Sequence, residues 1–319
     1  MPVIHVEPWP TTASGPYLIA DEDEDVGLCQ VVEGDGELRL LDPPVADSFS
    51  QQRVAFVDGV RRADARLYMS ADGFAHGVAG AHGTGAVLCN PSSRPEFHEC
   101  RVRRLVMWGS GVHESLPDQP GGWSWTVDGV ADDQPDAPLN AVQRRMREAE
   151  GQLAEMLAGD GCLTIIDGPL NFVRSRDLPV VGFVKTHHRP LLPPEAHRRV
   201  PELVAGQRTS LFAKRADIYS CYLRLAAPPP WAGPWAGITR LEFPASVGLE
   251  EVRSSADGAA ALLPRFAGIA HKDGRAPQNL LPISQLERHL RRLLGDGSLA
   301  IRAIRSAVVV LSKEAEASA

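Results

Sequence analysis

The chain has 319 residues, of which 44% are apolar and 23% charged, so it can bury a sizeable core as one large domain or two small ones. No apolar run approaches the roughly 20 residues that span a bilayer, and the opening MPVIHVEPWP lacks the basic and apolar regions of a signal peptide. A cytoplasmic protein with no membrane partner is therefore expected. Its net charge of −7 does not mark it as a nucleic-acid binder, and the five scattered cysteines, without a C-x-x-C pair, argue against a disulfide framework or a zinc site.

Residues 1–50 are rich in proline, glycine and acid, with a run at Asp21–Asp25, and read as an N-terminal arm or cap. Arg53–Asp58 is a short apolar run closed by Asp58-Gly59, which predicts a buried strand ending in a turn. A second strand is expected near 62–70. A third is expected over Gly77–Cys89, its glycines suggesting a twisted or bulged edge, and another over 99–108. Residues 109–138 read as loop. Leu139, Val142, Met146, Ala149, Leu153, Met156 and Leu157 recur at helical spacing, which predicts a helix over 139–157. Cys162–Asp167 repeats the first pattern, an apolar run closed by Asp-Gly.

Val180–Lys185 reads as a further buried strand, followed by a helix near 194–204 and strands near 217–226 and 237–243. Between these last two, Pro228–Pro234 forms a rigid loop that carries Trp231, with Trp235 directly after it. Ser284-Gln285-Leu286-Glu287 fits a capping box opening a helix, and an apolar strand or helix near 299–311 precedes a polar tail over 312–319. Strands first, then helix, strand, strand and late helix imply an α/β fold with a mixed sheet flanked by helices, one domain with insertions over 51–311.

An aspartate at the end of a buried strand must be paired, hydrogen-bonded or metal-bound. Asp58 or Asp167 alone fits a turn. Together, on neighbouring strands, they bring two carboxylates to one rim of the sheet, and oxygen ligands of this kind suit Mg²⁺ or Mn²⁺. Glu148, Glu150 and Glu155 on the intervening helix are candidates for a third ligand. Glu150 interrupts the apolar stripe, whereas Glu148 lies nearer the solvated face, so Glu150 is preferred. Lys185 follows a buried strand near the same rim and could neutralise a phosphate or orient a nucleophile. Arg208 is a candidate phosphate contact through its fork of donors. Trp231 and Trp235 could stack on bases or serve packing, and the His187-His188 pair suits a loop role rather than a metal, since adjacent strand residues face opposite ways.

Strand aspartate, helical glutamate, strand aspartate and a last ligand near a C-terminal helix make a ribonuclease H-like arrangement. On these residues the chain resembles the NurA nuclease family, in a bacterial form. The resemblance rests on Val57-Asp58-Gly59, Met146–Glu150, Ile166–Leu170, Gly182–Thr186, Ala270–Asp273 and Ala276–Leu280, in that order, and spans about residues 50–310. It implies a Mn²⁺-dependent (or Mg²⁺-dependent) DNA nuclease, a homodimer partnered by a HerA-type hexameric translocase in DNA end processing. Carried over by position, Asp58 and Asp167 match the family's metal-binding aspartates and Glu150 (or Glu148) its helical glutamate. His271 or Asp273 supplies the last ligand, with Glu287 as an acidic alternative that the capping box already explains.

Bound divalent ions would lower the pKa of a water and stabilise charge on the scissile phosphate. Two readings compete: a non-catalytic DNA-binding or adaptor subunit of a translocase complex, and a ribonuclease H-like enzyme acting on RNA or hybrids.

Overall fold

The computed structural model describes residues 3–6, 27–43, 51–70, 74–187, 189–269 and 276–317. The N-terminal region supplies three short strands: β1 (Val3–Val6), β2 (Gln30–Val31) and β3 (Leu40–Leu41). Each pairs with a later strand, β1 antiparallel against Tyr68 and its neighbours, so the described parts of the expected arm are stitched into the sheet. Residues 51–108 then form β4 (Val54–Ser70), β5 (Phe74–Cys89) and β6 (Glu96–Trp108). The two strands expected within 53–70 are thus one, with no turn at Asp58-Gly59. Nor is β5 an edge, because it pairs along its length with both β4 and β6. Its glycines serve close packing instead: a Cβ at Gly77 would meet the Trp108 ring at 2.5 Å.

The stretch expected to be loop contains β7 (Thr126–Gly129), parallel to β6, before α1 (Ala137–Gly159). Next come β8 (Leu163–Asp167), β9 (Val180–Val184) and α2 (Pro194–Arg199), the last continued by a 3-10 turn through Glu202. Four strands follow: β10 (Arg208–Thr209), β11 (Phe212–Arg215), β12 (Ile218–Arg224) and β13 (Ile238–Pro244). The chain closes with α3 (Leu249–Leu262), α4 (Leu281–Leu293) and α5 (Gly297–Ala317). The apolar segment near 299–311 is therefore helical, and its helix runs on through most of the expected polar tail.

All described strands join one mixed sheet whose main path is β2-β11-β12-β13-β9-β8-β4-β5-β6-β7. Pairing is antiparallel from β4 through β6 and parallel from β4 through β8 to β9. The two faces follow from strand alternation. Val54, Phe56 and Val60 share a core with Leu286 and Leu290 of α4 and with Val252, Ala256 and Ala259 of α3. Ala55 and Val57 pack with Leu153 and Leu157 of α1. Hence α1 covers one face of the central sheet, and α3 and α4 cover the other. Further along β4, α5 packs Ile304, Ala307 and Val308 against Leu67 and Ile4.

Among the described residues, no helix is long and apolar enough to cross a membrane.

Arg208 does not serve as a surface phosphate contact. It is 2% exposed, and its guanidinium donates to both oxygens of Glu33, at 2.7 and 2.9 Å, and to Asp257 at 2.7 Å. Burial opposes its charge, but these carboxylates hold it firmly protonated. A guanidinium with its donors committed inside the fold joins the 27–43 segment to β10 and α3 instead of meeting a ligand.

Candidate metal centre

Residues 54, 56 and 60 of β4 face the α4 side, and by the same alternation so does Asp58. On β8, Leu163 and Ile165 belong to that core, and on β9 so do Val181 and Phe183. Asp167 and Lys185 continue those two series. The parallel register of β4 with β8 ends at Val57 opposite Ile166, and β8 ends one residue later. Asp58 is therefore the first residue of β4 beyond its pairing with β8, although β4 itself runs on beside β5. The two aspartates meet at this step in the sheet.

The two Asp-Gly dipeptides do different work. Gly168 has φ +118°, a backbone angle that favours glycine, and turns the chain out of β8. Gly59 sits in regular strand and is needed for close approach. A Cβ there would run into the Glu150 carboxylate and come within 2.8 Å of Met146 Cγ and 3.1 Å of the Gly83 carbonyl. Gly59→Ala is accordingly expected to cost about 1–3 kcal/mol, as overpacking does. Equilibrium urea unfolding checks this, and an unchanged midpoint would show that the helix yields freely.

Asp58, Asp167 and Glu287 form the centre. One carboxylate oxygen from each lies within 4.8 Å of the others. Glu287 projects from α4, one residue after the core residue Leu286. The capping-box explanation for Glu287 fails, because Leu280 is the N-cap residue and the helix begins at Leu281, with Pro282 in its first turn. Ser284 lies inside that turn and accepts a hydrogen bond from Asn279 Nδ2 at 2.7 Å. Glu287 is thus released from the helix terminus to face the sheet.

Asp58 is only 4% exposed. Its Oδ2 and Oδ1 of Asp167 are buried and have no hydrogen-bond partner among the described residues. Burial raises the Asp58 carboxyl well above the ordinary range, and the charges of Asp167, Glu150 and Glu287 add to the rise, against the opposing charge of Lys185. Glu242, on β13, provides the contrast. It is fully buried too, yet Oε1 accepts from Lys214 at 2.7 Å and Arg240 at 2.9 Å, and Oε2 from the Leu170 amide at 3.1 Å. Glu242 is thus bonded through both oxygens. The Asp58–Asp167 pair keeps an acceptor in reserve on each residue, and a buried acceptor without a donor costs free energy. An all-oxygen set of three carboxylates fits a hard divalent cation such as Mg²⁺ or Mn²⁺.

Lys185 Nζ donates to Asp167 Oδ2 at 2.6 Å and to Asn279 Oδ1 at 3.1 Å. Asn279, buried just ahead of α4, thereby links the lysine to the helix that carries Glu287. Glu150 is fully buried on α1, on the Gly59 side of the sheet, and is not one of the three converging carboxylates. Its Oε2 accepts from Arg147 at 3.0 Å, and Arg147 also donates to the Asp167 carbonyl at 2.7 Å. Glu150 therefore holds Arg147 against the end of β8. Glu148 pairs with Arg145 at 2.9 Å, and Glu155 accepts from the Ser175 amide at 2.8 Å, so both are engaged away from the centre. His271 and Asp273 lie outside the described residues.

Glu287 and Asn279 are the residues that sequence reasoning undervalued. The signal for Glu287 was its place on the apolar side of α4, between Leu286 and Leu290, where a solvated glutamate does not belong. No protein-family model matches the chain, and no curated protein matches it.

Proposed function

We propose that the chain is a divalent-metal-dependent DNA nuclease of the NurA type, built on a ribonuclease H-like core. The observation that carries the proposal is the convergence of Asp58, Asp167 and Glu287, in which one buried oxygen of Asp58 and one of Asp167 lack a hydrogen-bond partner among the described residues. The fold lends support through the strand order β6-β5-β4-β8-β9. Its antiparallel and parallel halves are bridged by α1, an order that the ribonuclease H-like reading expects.

In this reading Asp58, Asp167 and Glu287 hold the metal. When bound, a divalent ion supplies Lewis acidity and a water acidified for attack on a phosphodiester. The residues do the rest. Arg147, steadied by Glu150, fixes the backbone at Asp167. Asn279 holds Lys185 beside the same carboxylate, where its ammonium meets the negative charge of an entering phosphate. A homodimer and a HerA-type translocase partner belong to the same proposal through the NurA resemblance.

The test is cleavage of labelled single- and double-stranded DNA, and of RNA, in Mn²⁺, Mg²⁺ or EDTA. DNA cleavage that needs the metal and is lost in Asp58→Ala and Asp167→Ala is expected. Cleavage that survives both substitutions would overturn the site. DNA binding without cleavage in any metal would favour the adaptor.

A further inference from the structure

Arg62 lies on β4 four residues after Asp58 and, by strand alternation, on the same α4-facing side as Asp58 and Val60. Its guanidinium donates to the Gly295 carbonyl at 2.6 Å and the Leu294 carbonyl at 3.3 Å, and it pairs with Asp64 of its own strand. Gly295, at φ +75°, ends α4 and turns the chain toward α5. The last carbonyls of a helix have no partner within it, and its C-terminal end favours a cation. One strand residue thus takes up the far end of the helix that carries Glu287. Between the two, Leu290 shares a core with Val60, and it stands 3.6 Å from where a Cβ would lie on Gly83, the β5 partner of Val60. α4 therefore follows β4 in a fixed register: Glu287 beside Asp58, Leu290 at Val60, Leu294 at Arg62. The spans agree. From Glu287 to Leu294 the helix rises about 10 Å at about 1.5 Å per residue. From Asp58 to Arg62 the strand covers about 13 Å at about 3.3 Å per residue, and the long arginine side chain closes the difference.

We propose that Arg62 is a positioning residue for the metal centre: it fixes how far α4 reaches along β4, and so holds Glu287 opposite Asp58. The inference rests on the metal reading of the centre and adds to it a residue that touches neither metal nor substrate. The other end of α4 has its own tie, from Asp167 through Lys185 to Asn279 and from Asn279 to Ser284. The helix is therefore fastened at both ends, near each of the two strands that bear the aspartates. A ligand set works only when held within about 0.5 Å of its productive geometry. A tie that stops α4 from sliding along β4 consequently bears on metal affinity and not on the fold alone. Asp64 steadies the guanidinium from behind. It is 5% exposed, and burial raises its carboxyl despite the charge of Arg62. Removing the arginine alone would leave that carboxylate buried without its partner, so a fair test removes both.

The experiment measures the Mn²⁺ affinity of the full-length chain from the electron paramagnetic resonance signal of the free ion, well below the melting temperature, with urea unfolding alongside. Arg62→Met combined with Asp64→Asn removes both charges at similar volume, and replacing a largely buried pair in this way is often neutral for stability. Mn²⁺ affinity is expected to fall about 10-fold, the lower end for residues that orient a ligand. Ile304→Ala is the comparison. It cuts the packing of a fully buried α5 side chain against Leu67 of β4, away from the carboxylates. It should lower the urea midpoint and leave the affinity of the folded protein at the parent value. A double variant that binds Mn²⁺ as tightly as the parent would overturn the role of Arg62, as would an equal loss of affinity in Ile304→Ala. A parent chain that takes up no Mn²⁺ would overturn the metal reading itself, and the positioning role with it, so the two failures are told apart.

Discussion

Asp58→Asn is expected to raise the thermal midpoint of the metal-free protein and to abolish the stabilisation that Mn²⁺ gives the parent chain. Burial, and then the charges of Asp167, Glu150 and Glu287, push the Asp58 carboxyl well above its ordinary value despite Lys185. A group with its folded pKa raised contributes stability that is fully present below the unfolded pKa and is lost as pH rises through the folded one. The loss therefore starts near the ordinary aspartate value of 3.8 and continues up to the raised folded value. An amide carries no proton to lose, so the variant should show a flatter stability profile over this window.

On the proposed reading, a divalent ion would reverse the penalty in the parent by binding the folded state. At a hundredfold excess over its Kd the gain would be about 2.7 kcal/mol, or about 4 °C for a chain of 319 residues. Calorimetry across pH, in EDTA and in Mn²⁺, reads both effects. A variant that melts lower in EDTA and still gains from Mn²⁺ would contradict this role for Asp58.

Glu287 and Glu150 should separate into different classes of defect. Glu287→Gln keeps the size of a partly buried side chain and removes a charge facing Asp58 and Asp167. Metal-dependent cleavage should fall by more than the roughly 10- to 100-fold typical of residues that only support a ligand, with little change in unfolding by urea. Glu150→Ala leaves Arg147 without the carboxylate it bonds at 3.0 Å inside the fold. Breaking such a buried pair costs about 3–5 kcal/mol, so the dominant loss is stability. Single-turnover cleavage and urea titrations of both variants provide the comparison. A fully active Glu287→Gln beside a folded but inactive Glu150→Gln would return the third ligand to α1.

The aspartate pair was legible because the apolar runs before Asp58 and Asp167 mark buried strands, and their shared phase puts both carboxylates on one face. The end of the first strand was not. Asp58-Gly59 reads as a turn only when Gly59 is assigned a backbone role, whereas its lack of a side chain makes room for Glu150 and Met146 from α1. That contact joins residues distant in sequence, and local pattern carries no trace of it.

Glu150 was rightly expected on the sheet-facing side of its helix, but periodicity cannot tell which face of the sheet the helix covers. Asp58 looks toward α4, so the nearby carboxylate comes from Glu287. The true start of α4, set by Pro282 and the bonded Asn279–Ser284 pair, removed the local explanation that had set Glu287 aside. α3 escaped notice for a different reason. Its buried face, Val252, Ala256, Ala259 and Ala260, is built mostly from alanine and gives a weak apolar stripe. Arg208 was misjudged because its partners, Glu33 and Asp257, lie 175 and 49 residues away.

Whether Asp58, Asp167 and Glu287 together hold one divalent cation is decided by anomalous diffraction from crystals of the full-length chain grown with Mn²⁺. A manganese peak is expected among these three carboxylates, at bonding distance from an oxygen of each. A peak at some other cluster, or none at this centre when the metal is in excess, would contradict it.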